Sequence, residues 1–507
     1  MPTNPSLHMT VQVLQVLIVI VGLGALLNKS ALKPRLVTAL LALCTILVVV
    51  AFSSNAASRV KDGKGAAVME AGQSEFMMRM AAGFKAFSSG IPMAGSKSTD
   101  ELYKTAAKSI ESAVDHDPQS LALRLKQVVL AAETGVGFAD ELAAMRGYKD
   151  ERAGRSSDLI DAIYLKKTLK APESVSALAL IDELISSGFY REVLKLEVYK
   201  VSGQQKVYDQ AATEYNDGSR LFAVRLVGLM LVLAFSGFVG IIVLAVQLVK
   251  LPRNLSDQVT LAQIRAPAAY GFTKVYGVLI GWLTFESFLS PAFSFLLPYL
   301  KGGVKDPLIL ALLTMTIYLV TNVPSLILAW LIAIKPTGVG FLEAVKLRWR
   351  TPTRGPIGLI FAGILTWFGC VPLVLLATII AMNFLRAEGS TNPILTIIME
   401  AVRSHNAMAA ILFVVAVGVL PAICEETLFR GFLYTSLRWR FGAFQSMLIS
   451  AFLFSAVHMD PGAFLPLFVL GFAFAFVFER TRSLIPSMIA HCMWNTGTLI
   501  TMLSIYG

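Results

Sequence analysis

Two adjacent carboxylates stand inside one of the most apolar stretches of the chain. Glu425 and Glu426 belong to the segment CEETLFRG, residues 424–431, which follows Pro421 and a long apolar run. Charge within such a run is energetically costly, so it indicates a function or a paired partner. Glu426 and Arg430 are four residues apart and share one helix face, where they can pair. Glu425 has no such partner within its own helix, which leaves its carboxylate available for proton transfer.

Two further polar pairs follow at helical spacing in the next apolar runs. Phe454 and His458 are four apart in FSAVH, and His491 and Asn495 are four apart in HCMWN. Prolines near these motifs can break the helices. A carboxylate and two imidazoles can then converge in one cavity below the membrane surface, so these residues form a candidate site.

The chemistry that such a cavity supports is hydrolysis of an amide. Glu425 would take a proton from water while an imidazole orients that water. His491 and Asn495 are placed to donate hydrogen bonds to a developing oxyanion. In a metal-dependent variant, His458, His491 and a carboxylate would hold one Zn²⁺ with water as the fourth ligand. The chain has no HExxH motif, so the residues favour the metal-free reaction and leave the metal unassigned.

Each motif also has a structural interpretation. A single histidine within a membrane span more often bonds a neighbouring helix than catalyses, and EExxxR alone could be a buried ion pair. Glu286 also lies inside an apolar run, but beside a Ser/Pro break, which favours a role in bonding a broken helix. The four cysteines lie in apolar segments and indicate packing, with no disulfide framework. The ordered combination on successive helices is what favours chemistry.

The composition indicates a membrane protein. The chain has 507 residues, of which 55% are hydrophobic and only 15% are charged, with a formal net charge of +11. Residues 53–220 hold acidic and basic side chains in nearly equal number, so the positive excess belongs to the apolar remainder. Basic loops that set membrane topology explain this excess, which argues against a nucleic-acid-binding surface.

Four helical parts are expected along the chain. Residues 1–52 hold two membrane spans, 53–220 a soluble domain, 221–405 further spans, and 406–507 the polar motifs. Apolar runs predict about ten spans, at residues 11–27, 36–52, 222–249, 271–298, 307–334, 356–385, 407–437, 442–458, 461–479 and 483–505. Helix–turn–helix patterns in the soluble domain resemble tetratricopeptide hairpins with an incomplete repeat signature. The predicted fold class is an all-α polytopic membrane protein with a helical, tetratricopeptide-like soluble insertion.

Lysine and arginine concentrate in alternate loops between the predicted spans. Residues 28–35, 335–354 and 480–482 are examples of the basic set, whereas the intervening loops hold few cations. The positive-inside bias places the basic loops in the cytoplasm and the 53–220 domain outside it. We expect a multi-pass protein of the plasma or inner membrane. Its 53–220 domain would contact a protein partner or substrate, or serve as a spacer.

The three motifs together resemble a known family signature. EETLFRG, FSAVH and HCMWN match the ordered pattern EExxxR, FxxxH and HxxxN of the CPBP family, also called the Abi or type II CAAX prenyl endopeptidase family of intramembrane proteases. The resemblance covers about residues 407–505. It implies that Glu425 activates water with help from His458, and that His491 and Asn495 form the oxyanion site. The family is labelled metallopeptidase, yet a glutamate mechanism without metal is also argued for it.

By the same resemblance, Glu426 and Arg430 would brace the helix. The predicted function is an intramembrane endopeptidase that cleaves a membrane-associated protein or peptide at the lipid bilayer. One alternative is a non-catalytic membrane scaffold or a bacteriocin-immunity-type protein on the same core. Substitution of Glu425 or His458 would have favoured it, and neither is substituted. An ion-coupled transporter is the third hypothesis, but the first half of the chain does not repeat the polar pattern.

Overall fold

The structure of the chain is a computed structural model. It describes residues 64–88, 96–148, 151–185, 188–254, 270–271, 273–286, 289, 306–384, 406–458, 460 and 462–506. These residues are almost entirely helical, and their β structure is limited to one isolated bridge between Thr351 and Arg354. The all-α class predicted from the sequence is confirmed. The chain forms two compact units, one of them Arg59–Leu231 and the other including Val232–Gly507.

The Arg59–Leu231 unit is a packed set of short helices with its own apolar core. In chain order they are α1 (Lys64–Ser88), α2 (Ser96–His116), α3 (Leu121–Thr134), α4 (Phe138–Arg146), α5 (Glu151–Ile160), α6 (Ala171–Leu184), α7 (Phe189–Val201) and the start of α8 (Gln205–Asn254). The turn between α2 and α3 ends at Ser120, whose side chain caps α3 by accepting from Leu123 N. The tetratricopeptide-like character of this unit stays a prediction.

A buried carboxylate joins α1 to the start of α7. Glu75 Oε1 accepts a hydrogen bond from Phe189 N at 3.0 Å, which satisfies a free N–H of the first helical turn. The hydroxyls of Ser74 and Tyr190 lie 2.6 Å apart beside it. Gly188, just before α7, has φ of 107°, and a Cβ there would overlap the Glu75 carboxylate. This turn therefore requires glycine for both its conformation and its close contact.

The second unit holds the long apolar helices. After α8 come α9 (residues 273–286), α10 (Pro307–Leu328, continuing to Thr337), α11 (Phe341–Ala344), α12 (Pro356–Phe384), α13 (Ala407–Leu437), α14 (Ala443–Ala456), α15 (Phe464–Thr481) and α16 (Ile485–Tyr506). In the described part of the chain, five helices are long and apolar enough to cross a membrane: Gln205–Val249, Pro307–Thr337, Pro356–Asn383, Ala407–Leu437 and Phe464–Thr481. The predicted spans at 11–27 and 36–52 lie outside the described residues, as does part of 271–298. The count of ten therefore stays a prediction.

Helix α15 lies at the centre of this unit and positions the polar motifs. It packs against α12, α14 and α16, while α16 also packs against α12 and the middle of α13. The ends of α13 and α15 are joined by a buried polar cluster. Tyr434 OH donates to Glu479 at 2.6 Å, and Arg438 Nη2 donates to the same carboxylate at 3.0 Å. Because a buried charge is costly unless it is paired, this cluster fixes one register between the two helices.

Candidate active site

Helix α13 changes its winding on both sides of the two glutamates. The α-helical segment Leu420–Glu426 lies between π-helical segments at Val414–Val419 and Thr427–Tyr434. Pro421 is the local cause of the first irregularity, since it has no N–H to give to the carbonyl of Val417, four residues earlier. Isolated π turns occur frequently at functional sites because they redirect side chains and free carbonyl groups.

The freed carbonyl is bound from the neighbouring helix. Asn495 of α16 donates from Nδ2 to Val417 O at 3.0 Å. A side-chain amide carries two N–H donors, so this bond leaves the second one for another acceptor. The proline in α13 and the asparagine in α16 thus act together to hold the two helices side by side at the level of the glutamates.

Glu426 and Arg430 pair completely out of contact with solvent. Arg430 Nη1 donates to Glu426 Oε1 at 2.7 Å, and both side chains are 0% exposed. Arg430 Nη2 also donates to Gly471 O of α15 at 2.9 Å. The same Glu426 oxygen lies 3.0 Å from His491 Nδ1 of α16. The pair predicted from the i, i+4 spacing therefore exists, and it links α13 to both neighbouring helices.

Aromatic rings enclose this charged group. The Phe454 ring lies 4.4 Å from the Arg430 guanidinium carbon, and the Phe474 ring lies 5.4 Å from it. The same two rings contact the imidazoles, with Phe454 against His458 and His491, and Phe474 stacked on His491 at 5.2 Å. These contacts give the phenylalanine of the FxxxH motif a physical role: it screens the buried cation while it orients both histidines.

The two imidazoles have fixed orientations. His458 Nδ1 lies 2.7 Å from Phe454 O, an atom that can only accept, so Nδ1 carries the hydrogen. In the neutral ring, Nε2 is then the atom with a free lone pair. The contact between His491 Nδ1 and the Glu426 carboxylate orients the second ring in the same way. Both Nε2 atoms consequently face the remaining carboxylate, Glu425.

Glu425 presents two different oxygens. Oε1 accepts a hydrogen bond of 3.1 Å from the Tyr318 hydroxyl of α10. Oε2 lies 3.9 Å from His458 Nε2 and 4.0 Å from His491 Nε2, and it is buried without a hydrogen bond from any described residue. These distances are too long for direct hydrogen bonds. They are consistent with one water molecule that bridges the two groups through hydrogen bonds of about 2.8 Å each.

These groups line one cavity of about 370 Å³. Glu425, His458, His491 and Asn495 all contribute to its surface, together with Tyr318. Its size lies within the range of small-molecule and peptide-side-chain sites, roughly 300 to 1,000 Å³. The four residues predicted to do chemistry are therefore brought together, whereas Glu426 and Arg430 do not line the cavity.

The spacings between the possible ligand atoms in this cavity are wider than those of a zinc site. The described residues include no group of three or more His, Cys, Asp or Glu side chains placed to hold a metal ion. Tetrahedral zinc, with bonds of about 2.0–2.1 Å, would hold neighbouring ligand atoms about 3.4 Å apart. The 3.9 and 4.0 Å spacings around Glu425 Oε2 are wider than that.

Tyr318 is a site residue that the sequence motifs did not include. It comes from α10, about a hundred residues before the glutamates, and its helix reads TMTIYLVTNVPS. The signal available was a second polar group, Asn322, one helical turn later in an otherwise apolar run. Asn322 Nδ2 donates to the Tyr318 carbonyl at 3.1 Å, so the two residues are structurally linked. Cys424 and Cys492, also beside the motifs, are free thiols.

Comparison with protein-family models gives a match over the last part of the chain. The family model described as type II CAAX prenyl endopeptidase Rce1-like matches residues 407–497, the segment that holds all three polar motifs. No curated protein and no solved structure matches the chain. The family and the long apolar helices identify an integral membrane protein. Residues 407–497 are therefore similar to the type II CAAX prenyl endopeptidases, which confirms the resemblance to the CPBP family predicted from the three motifs.

Proposed function

We propose that the protein is an intramembrane endopeptidase that hydrolyses a peptide bond of a membrane-associated protein or peptide. The observation that carries this proposal is the convergence of Glu425 Oε2 with His458 Nε2 and His491 Nε2, at 3.9 and 4.0 Å, in a cavity within apolar helices. The family match to CAAX-type proteases supports the reaction class.

In the first step, a water between Glu425 and His458 attacks the scissile carbonyl carbon. Because the Tyr318 hydroxyl occupies Oε1, the lone pair of Oε2 is the one directed at the water. Glu425 takes the water's proton as general base, while the unprotonated Nε2 of His458 accepts its other hydrogen and fixes its orientation. The proton held by Glu425 is then given to the leaving amine.

The tetrahedral intermediate develops negative charge on the former carbonyl oxygen. For His491 to donate from both nitrogens, to Glu426 through Nδ1 and into the cavity through Nε2, the mechanism requires that its ring carry both hydrogens during this step. The second N–H of Asn495 is the other donor. Donors held in place before the reaction stabilise an oxyanion better than mobile water, and each is typically worth a factor of about 10² to 10³ in rate.

Residues 53–220 would recognise the substrate or a protein partner on the extracytoplasmic side of a plasma or inner membrane. The support for this role is a separate compact unit with its own core, joined to the membrane unit through α8. The basic loops on the opposite side support the assignment of the side.

The test is proteolysis of membrane-anchored peptides by the full chain in liposomes. Glu425→Gln and His458→Ala should each abolish cleavage while thermal stability and chromatographic behaviour stay unchanged. Glu343→Gln is the matched control, because Glu343 is exposed at α11 and away from the cavity. Cleavage in the presence of a chelator should persist.

A different outcome would identify the scaffold alternative. If wild type, Glu425→Gln and His458→Ala behave alike on every peptide of a broad library, and both variants complement a deletion strain, the proposed reaction is wrong. Loss of activity on chelation, restored by one metal, would replace the metal-free mechanism and leave the endopeptidase assignment in place.

A further inference from the structure

A second cavity, larger than the first, lies on the other face of helix α15. It has a volume of about 510 Å³ and is formed mainly by α8, α12 and α15. Phe468, Phe472 and Phe476 of α15 line it, whereas Leu470 and Phe474 of the same helix line the cavity that holds Glu425. The two cavities are therefore separate spaces with different surfaces, and the second has no part in the proposed hydrolysis.

The charged groups of this second cavity lie at one end. Arg354 precedes α12, and Gln247, Arg480 and Thr481 lie near the ends of α8 and α15. Arg480 donates a hydrogen bond to Gln247 Oε1. Neither Arg354 nor Arg480 forms an ion pair with a carboxylate of the described residues. The positive charges of the two arginines repel each other. Two like charges that have no carboxylate partner in the described part of the chain favour an anion at this end.

The remainder of the cavity is apolar except for Thr366, whose hydroxyl donates to Ala362 O of its own helix. This part is about as long as one membrane leaflet is thick. From Arg480 back to Phe468 is twelve residues of helix, about 18 Å at 1.5 Å per residue. The hydrocarbon core of a bilayer is about 30 Å thick, so this length corresponds to roughly one leaflet. A molecule that fits this space would place a charged group at the arginines and a hydrocarbon chain along the apolar remainder.

The sequence explains why the helices separate here. Gly240 of α8 contacts the Phe368 carbonyl and Pro372 of α12 so closely that a Cβ would overlap them. This contact brings α8 and α12 together. Beyond this contact, the cavity is lined on α8 by residues between Val243 and Leu248, and on α12 by residues between Ala362 and Gly369. The two arginines lie at its far end. The space is thus bounded at one end by the glycine contact and at the other by cations.

We propose that this cavity is a binding site for an anionic phospholipid of the adjacent leaflet. Its phosphodiester would pair with Arg354 and Arg480, and one acyl chain would lie along α15. Basic pockets between membrane helices recognise anionic headgroups by this combination of charge and apolar contact. A zwitterionic lipid would gain less, because its own ammonium group offsets the phosphate.

The test is lipid binding by the purified full chain in detergent, measured by native mass spectrometry. Phosphatidylglycerol and phosphatidylcholine of identical chains are titrated separately. We expect phosphatidylglycerol to bind at least tenfold more tightly than phosphatidylcholine.

The double variant Arg354→Gln/Arg480→Gln should lose this preference, and Arg354→Lys/Arg480→Lys should keep most of it. Arg350→Gln is the matched control, because Arg350 is exposed in the same loop but does not line the cavity.

A second variant tests the position of the chain rather than the headgroup. Thr366→Phe on α12 fills the middle of the cavity without altering charge, so it should weaken binding of both lipids and leave folding intact. Equal binding of the two lipids, or a preference that survives the double Gln variant in folded protein, would overturn the proposal. Competition by glycerol 3-phosphate as strong as that of the lipid would also overturn it, because the site would then bind phosphate without a chain. These readouts do not depend on cleavage.

Discussion

Asn495 Nδ2 donates a hydrogen bond of 3.0 Å to the main-chain oxygen of Val417, four residues before Pro421. The asparagine of the HxxxN motif therefore has a structural role: it donates to a carbonyl oxygen that receives no hydrogen bond from Pro421, because proline has no N–H. Its proposed catalytic role depends on the second N–H of the same amide. The two roles can be separated by experiment.

Replacement of Asn495 should cost little stability and most of the activity. Asn495→Ala removes one ordinary hydrogen bond, worth about 1 kcal/mol in the free energy of unfolding, but it also removes an oxyanion donor, worth about 10² to 10³ in kcat. Adding Pro421→Ala supplies an N–H for the Val417 carbonyl, so stability should return while kcat does not. The measurements are denaturation in detergent and cleavage in liposomes.

The control for this pair is Asn383→Ala. Asn383 Nδ2 donates to Ile379 O at 2.8 Å near the end of α12, outside the cavity, so its loss should leave kcat unchanged. Recovery of cleavage together with stability in Asn495→Ala/Pro421→Ala would mean that Asn495 acts only by positioning α13.

The two adjacent glutamates should differ sharply in their effect on stability. Glu426→Gln leaves the fully buried guanidinium of Arg430 without its counter-ion, and breaking a buried pair in this way costs about 3–5 kcal/mol. Glu425→Gln keeps an oxygen that can accept from the Tyr318 hydroxyl, so its cost should be below about 1 kcal/mol. Thermal denaturation of the two variants in the same detergent measures the difference. Equal stabilities would show that the Glu426–Arg430 pair contributes nothing to the fold.

Tyr318 should affect turnover rather than substrate binding. Tyr318→Phe removes a hydrogen bond to a charged group, worth about 1.5–3 kcal/mol, which corresponds to roughly a 10- to 100-fold fall in kcat. KM should change little, because the hydroxyl contacts Glu425 and orients it. Tyr434→Phe is a matched control: it removes an equivalent bond to Glu479, away from the cavity. It should lower stability and leave kcat intact, and the same fall in kcat for both variants would contradict a specific role for Tyr318.

Interactions between residues close in sequence were predictable. The spacing of Glu426 and Arg430 indicated their pair, and the spacing of Phe454 and His458 indicated a shared helix face; both contacts are present. Such pairs depend only on helix geometry, which a sequence fixes locally. The helical class follows in the same way from long apolar runs.

The sequence did not predict which side chains of distant helices contact each other. Tyr318 reaches Glu425 because α10 packs beside α13, and one sequence carries no measure of that packing. The π segments around Glu425 were equally hidden, although Pro421 indicated a break. An apolar helix in a bilayer can pack against several other helices with similar free energy. Side-chain fit and buried polar contacts therefore decide which helices pack together.

The Arg59–Leu231 unit offers a test of fold that is independent of the candidate site. Gly188 has φ of 107° and ψ of −177°, a conformation nearly exclusive to glycine. A Cβ there would also meet the Glu75 carboxylate, whereas Gly203, with φ of 71°, has nothing within 4 Å. Gly203→Ala should therefore cost about 1 kcal/mol from backbone strain alone. Gly188→Ala should cost at least twice that amount, because Glu75 must also release Phe189 N.

Hydrogen exchange of the amides at the start of α7 in the full chain measures this difference. Equal protection in the two variants would show that the Glu75 contact does not hold α7 to α1.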